Sequence, residues 1–217
     1  MNYKDKLILE NLYEETISNN SNSNSNRKRI VDWLKSNTNI HRSPHVQCLE
    51  ITDDYQINFG DRLTINCDVV SIPTYINFNN VHTFDINYGS LTTLVGCPNV
   101  CKNFTCNGCD ITNLIGAPKK CIYFSCFNCP LLISLEGAPI TCRIFDCNYC
   151  KKLKDLKYSP RECKIFTCQD CDSLNKDTKY PTDKYGYMCN IQKFKENHSK
   201  RSAQSAKDFG EEGSSLF

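Results

Sequence analysis

The sequence predicts a mainly β chain built on a parallel β-solenoid of about five to six short coils, with short N-terminal helices and strand caps, and three observations carry that prediction. Cysteines at 101, 106 and 109 recur at 121, 126 and 129, at 142, 147 and 150, and at 163, 168 and 171, so the units step by 20, 21 and 21 residues. Phenylalanine keeps the same beat at Phe84, Phe104, Phe124, Phe145 and Phe166, and proline keeps it at Pro98, Pro118, Pro139 and Pro160. The unit before the first cysteine triplet places Val81, Phe84, Ile86 and Gly89 where the next places Cys101, Phe104, Cys106 and Cys109. Val and Ile neither ligate metals nor form disulfides, so the columns they share with Cys are defined by burial, a role the small Cys side chain also fills.

The flanks read differently. Over residues 1–18, Leu7, Ile8, Leu12, Tyr13 and Ile17 recur among Lys and Glu at helical spacing, which predicts an amphipathic helix. The Asn/Ser alternation over 19–26 offers nothing to bury and predicts a flexible linker. A second short helix, with Ile30, Val31, Trp33 and Leu34 as its apolar side, opens the segment 27–45, and Arg27-Lys28-Arg29 reads as its solvated start. From Val46 the pattern becomes short alternating runs, Leu49-Glu50-Ile51 and Tyr55 to Phe59 around Thr52-Asp53-Asp54, predicting two strands and an Asp-rich turn. They cap the open end of the solenoid, which with that cap spans 46–175. Leu63, Ile65, Val70, Ile72 and Pro73 suggest a degenerate first unit. After Leu174 the beat stops. Within 176–195, the run Tyr185 to Ile191 predicts a C-terminal edge-covering strand, and the polar, charged 196–217 predicts a disordered tail.

Within a unit, alternate strand residues face opposite ways, so Phe104 and Cys106 point into the coil while Asn103, Thr105 and Asn107 point out. One coil cannot bury its own Phe; stacked coils can. Written out, the unit from Cys101 is Cys-x-x-Phe-x-Cys-x-x-Cys-x-Ile-x-x-Leu. It resembles the leucine-rich-repeat family, whose Leu-x-x-Leu-x-Leu-x-x-Asn/Cys-x-Leu signature has this spacing, with Cys or Phe standing in for Leu. Units from Cys121 onward carry one extra residue before Leu132, Leu153 and Leu174, as cysteine-type members of that family do. The unit endings, such as Leu114-Ile115-Gly116-Ala117-Pro118 and Leu135-Glu136-Gly137-Ala138-Pro139, are similar to Leu-x-x-Leu-x-Gly-x-Pro repeats of tailed bacteriophages and large DNA viruses. The resemblance covers about residues 46–175 and implies the architecture and a viral or phage accessory or virion-associated protein; it implies little about activity. The fourth unit departs from it with Lys157-Tyr158-Ser159-Pro160, which leaves its turn geometry open. About eight residues separate a unit's last Leu from the next strand, which predicts turns or 3₁₀ fragments rather than helices there.

Function is read from what remains exposed. A formal charge of +2 exerts no global pull on polyanions, so no nucleic-acid partner is expected. No apolar run is long enough to span a membrane and the N-terminus lacks a signal-like apolar core, so no membrane association is expected and a cytoplasmic location with reduced thiols is, the host cytoplasm or the virion if the source is viral. The 16 cysteines allow three readings: buried core, zinc held by the Cys-x-x-Cys pairs at 106/109, 126/129, 147/150 and 168/171, or disulfides between adjacent coils. Core is the expectation, with no metal and no cofactor. The four His, His41, His45, His82 and His198, are scattered, and no catalytic residues are expected. On the outward strand face, Tyr123, Phe127, Ile144 and Ile165 are expected to form an exposed apolar cluster beside Asn103, Asp146 and Asn148, a site for a protein partner of unknown identity. A homo-oligomer contact would satisfy the same pattern.

Overall fold

The computed structural model describes residues 21–43 and 48–174, excluding the side chains of 21–24 and 41. The helix expected over 1–18, the cap over 176–195 and the tail over 196–217 lie outside these residues. Seven strands follow one another across a single sheet: β1 (Leu49–Ile51), β2 (Gln56–Thr64), β3 (Asn77–Asp85), β4 (Val100–Thr105), β5 (Lys120–Ser125), β6 (Thr141–Asp146) and β7 (Glu162–Thr167). The first pair is antiparallel and the remaining five are parallel, so the chain is a mainly β, parallel solenoid of five turns.

The phenylalanines set the stacking. Phe84, Phe104, Phe124, Phe145 and Phe166 are register partners on successive strands. Their rings stack nearly parallel, with centroids 5.8, 5.2, 5.0 and 5.3 Å apart along the column. Each ring is buried, worth about 1.5–3 kcal/mol of transfer free energy, with about 0.5–1.5 kcal/mol more per ring pair. At the N-terminal end Phe78 meets Phe84 edge-on at 5.1 Å, and Trp33 meets Phe78 at 6.3 Å. An aromatic spine therefore runs from the helix into the last described coil.

That helix, α1 (Ser21–Asn37), closes the open end of the stack. Ile30, Val31 and Leu34 are buried against the first coil, and the Thr38 hydroxyl donates to the Leu34 carbonyl at 2.7 Å as the helix stops. The Asn39 side-chain oxygen then accepts the Thr64 N–H, and the Asn66 N–H donates to the Asn37 carbonyl, fastening the helix end to β2. The helix begins inside the Asn/Ser tract read from sequence as a linker. Asn and Ser are poor but tolerated helix formers, and a helix docked by its later apolar side can carry them in its first turns. The two capping strands are β1 and β2 as expected, joined through Thr52–Tyr55, but β2 also continues as the strand of the first coil, where Leu63 and Ile65 are buried.

Two corners recur along the coils that follow β2. After each of β3–β7, the residue before the third conserved column is in the left-handed region: Tyr88, Gly108, Asn128, Tyr149 and Asp170 have φ of 54, 65, 54, 61 and 51°. Across the coil, the Cys97, Ala117 and Ala138 N–H groups donate to Leu94, Leu114 and Leu135 carbonyls, closing turns whose third residues, Gly96, Gly116 and Gly137, have φ of 94, 96 and 92°. A Cβ on Gly116 would lie 2.4 Å from the Leu94 carbonyl of the preceding coil, so glycine is required there by contact as well as by φ. In the fourth unit the Ser159 N–H still closes the turn onto Leu156, but Tyr158 is not left-handed, so a side chain is accommodated by a different turn type. The extra residue of the later units is absorbed in turns closed by Leu132 N–H to Cys129, Leu153 N–H to Cys150 and Leu174 N–H to Cys171. Turns alone make the far side of the coils among the described residues, as the short spacing predicts.

Candidate functional site

The cysteines form ladders rather than clusters. In the third column, each thiol donates to a carbonyl of the preceding coil: Cys109 to Ile86 at 3.5 Å, then Cys129 to Cys106, Cys150 to Cys126 and Cys171 to Cys147, each at 3.1 Å. In the second column, Cys106 and Cys147 donate onward to the Ser125 and Thr167 carbonyls. Burial pushes the thiols of Cys97, Cys126 and Cys147 well above their ordinary value, and those of Cys101, Cys109 and Cys171 to about 12. A thiolate is the nucleophile and metal-binding form, and these surroundings hold the proton on those six sulfurs. Hydrogen bonding from Cys126 and Cys129 instead lowers the Cys150 thiol, and hydrogen bonding from Cys121 lowers that of Cys142. Among the described residues no three His, Cys, Asp or Glu side chains converge on a common point that could hold a metal ion. Cys121 and Cys142 stand sulfur to sulfur at 3.6 Å in the first column.

The outward face has the predicted register. Thr83, Asn103, Tyr123, Ile144 and Ile165 stand side by side, as do Asp85, Thr105, Ser125, Asp146 and Thr167. Tyr123 and Ile144 are half-buried and Ile165 is 50% exposed, so three of the four predicted apolar residues share one column. Phe127 does not join them. It lies beyond the strand end, where its half-buried ring meets Tyr149 edge-on at 5.1 Å.

The polar neighbours are engaged within the sheet. Asp85 is buried and accepts from Arg62 and from the Thr105 hydroxyl, both at 2.7 Å. Asn103 donates to the Thr83 hydroxyl at 3.3 Å. The Asn107 side-chain oxygen accepts the Phe127 N–H, and that of Asn148 accepts the Gln169 N–H, binding each coil to the next. Phe127 has no such oxygen to offer, and the Asn148 N–H turns instead to Asp146 in its own coil, at 3.0 Å. Asp146 also accepts from the Thr167 hydroxyl at 3.1 Å. Burial raises its carboxyl pKa, and the Asn148 N–H and Thr167 hydroxyl oppose that rise. Asp146 and Asn148, expected as partner-binding residues, are thus first of all coil-to-coil fasteners.

A second surface was missed. Because the repeat puts two residues between the first conserved Cys and Phe, both outward, the face includes a further column, His82, Lys102, Ile122, Arg143 and Lys164, beside the Asn103 one. At the strand starts Val100 pairs with Lys120, and main-chain bonds align Lys119, Ile140 and Arg161. A cleft of about 530 Å³ opens here, lined by Asn80, His82, Val100, Lys102, Lys120 and Ile122 among others. The Cys-x-x-Phe spacing could have exposed this column, but strict two-residue alternation counted back from Phe104 conceals it.

No helix among the described residues is long and apolar enough to cross a membrane. No family model matches this chain, and no curated protein or solved structure matches it.

Proposed function

We propose that this chain is a non-enzymatic protein-binding module of the leucine-rich-repeat-like kind, a viral or phage accessory or virion-associated protein, which binds through the outward face of its sheet. The observation that carries this reading is the in-register column of Tyr123, Ile144 and Ile165 on adjacent strands, an apolar patch beside the polar column of Asp85, Thr105, Ser125, Asp146 and Thr167. Its support favours binding: stacked rings beneath it and side-chain ladders beside it leave little conformational freedom to lose on association. The raised thiols of Cys97 and Cys147, and the lack of three metal-ligating side chains converging among the described residues, support a non-enzymatic role.

The test is affinity capture with a tagged chain carrying Tyr123→Asp and Ile144→Asp, compared with the unsubstituted chain and checked for unchanged thermal unfolding. Loss of the captured partner supports the reading, and undiminished capture by the folded variant opposes it. Light scattering on the same samples distinguishes self-association: a dimer that becomes a monomer on substitution identifies the partner as a second copy.

A further inference from the structure

We infer that the strand-start flank of β4–β7 recognises an acidic protein segment that carries apolar side chains between its carboxylates. This rests on the sheet face being a protein-binding surface and specifies the chemistry of what it binds. Six exposed cations, Lys102, Lys119, Lys120, Arg143, Arg161 and Lys164, lie on this flank against the single carboxylate of Glu162 in the same columns. None of the six forms an ion pair with another described residue. Val100, Ile122 and Ile140 stand among them with 54, 47 and 52% of their surface exposed.

The arrangement alternates across the strands. Lys102, Ile122 and Arg143 are neighbours in one column, Lys119, Ile140 and Arg161 in another, and Val100 sits beside Lys120. Adjacent strands are about 4.8 Å apart, so cations that flank one aliphatic residue are about 10 Å apart. An extended chain laid across the strands in the polyproline II conformation rises about 3.1 Å per residue with three residues per turn, so a carboxylate at every third position returns to the surface about 9.3 Å on, with an apolar residue between. The cleft between Val100 and Ile122, with Lys102 and Lys120 on its rim, provides a seat for one apolar side chain. Arg143 and Lys164 face each other on adjacent strands, a like-charge pairing that disfavours the free sheet and that an anionic partner relieves. The aliphatic residues decide the partner class: a phosphodiester backbone or a lipid headgroup uses the cations but gains nothing from Val100, Ile122 and Ile140, whereas an acidic-apolar peptide uses both.

The test is fluorescence anisotropy of the full chain with a labelled peptide repeating Glu-Leu-Ser. Saturable binding is expected, at least tenfold weaker for a Glu-Ser-Ser repeat, tenfold or more weaker with Lys102→Glu plus Arg143→Glu, and several-fold weaker with Ile122→Ser. Lys102→Gln plus Arg143→Gln provides the same comparison with a gentler change should charge reversal perturb folding. Equal affinity for the substituted and unsubstituted chains, no binding at millimolar peptide, or tighter binding to a single-stranded oligonucleotide or to phosphatidylserine vesicles would overturn the inference. Failure here with partner capture still lost in the Tyr123→Asp, Ile144→Asp chain removes the acidic-partner assignment alone. Peptide binding that persists while capture is indifferent to those two substitutions removes the Tyr123 face instead.

Discussion

Between Gln56 and Asp85 the buried columns are filled by Ile57, Phe59, Leu63, Phe78, Val81 and Phe84, whereas from Val100 to Thr167 the same columns hold Phe and Cys. The hydrocarbon region pairs β2 with β3 through two register shifts, while the cysteine region keeps one register across β5, β6 and β7. The hydrocarbon region is also sealed from outside, by α1 and by antiparallel β1. The contrast separates two contributions. Burial alone fills a column and lets Val, Ile or Cys occupy it. The thiol adds a weak donor aimed at a fixed carbonyl of the neighbouring coil, which ties each unit to the one before it.

The largest effect that would break this contrast is expected at the centre of the aromatic spine. Phe124 is stacked on both sides, so Phe124→Ala should cost about 3–5 kcal/mol in urea unfolding, more than Phe166→Ala at the end of the described stack. The corner turns come next. Gly116→Ala, which combines a positive φ with a 2.4 Å approach to the Leu94 carbonyl, should cost about 2–3 kcal/mol, whereas Tyr158→Gly in the fourth unit should change stability by less than about 1 kcal/mol.

The ladder itself is sharpened by a smaller pair. Cys129→Ala should cost about 1–2 kcal/mol by removing a buried sulfur and its bond to the Cys106 carbonyl, while Cys101→Val, which copies Val81, should stay below about 1.5 kcal/mol. The smallest effect is electrostatic. With its folded pKa raised, Asp146 binds its proton more tightly in the native state than in the unfolded chain. Its ionisation therefore lowers stability as pH rises above about 4, through the folded pKa. Asp146→Asn, which keeps an acceptor for the Asn148 N–H, should flatten that slope in urea unfolding measured across the acid range.

The stack was legible in the chain because its columns repeat a chemical type: Phe every 20 or 21 residues admits few arrangements other than a coil, and the register of Tyr123, Ile144 and Ile165 followed by counting. The substitution of Val81 and Ile86 for Cys identified burial as the meaning of the cysteine columns. Other features were hidden because they depend on tertiary contact. The Asn/Ser tract carries no apolar pattern, so its helix is legible only from the docking of Ile30, Val31 and Leu34 downstream. Phe127 lies two residues past the end of β5, where the stacking of coils sets Tyr149 of the next coil against its ring, a contact between coils that the sequence does not display. The basic flank was hidden by a counting assumption, since the two-residue gap before Phe breaks strict alternation.

Site-resolved alkylation of the native chain, read by mass spectrometry, tests the interlocked interior most directly. Cys48 and Cys67 are exposed and should label at once, while Cys106, Cys126, Cys129, Cys147 and Cys150, buried as free thiols, should label only at the rate of unfolding and without any metal being released. Rapid labelling of those five in the folded protein, or their recovery as disulfides or as zinc-protected thiols freed by a chelator, would contradict it.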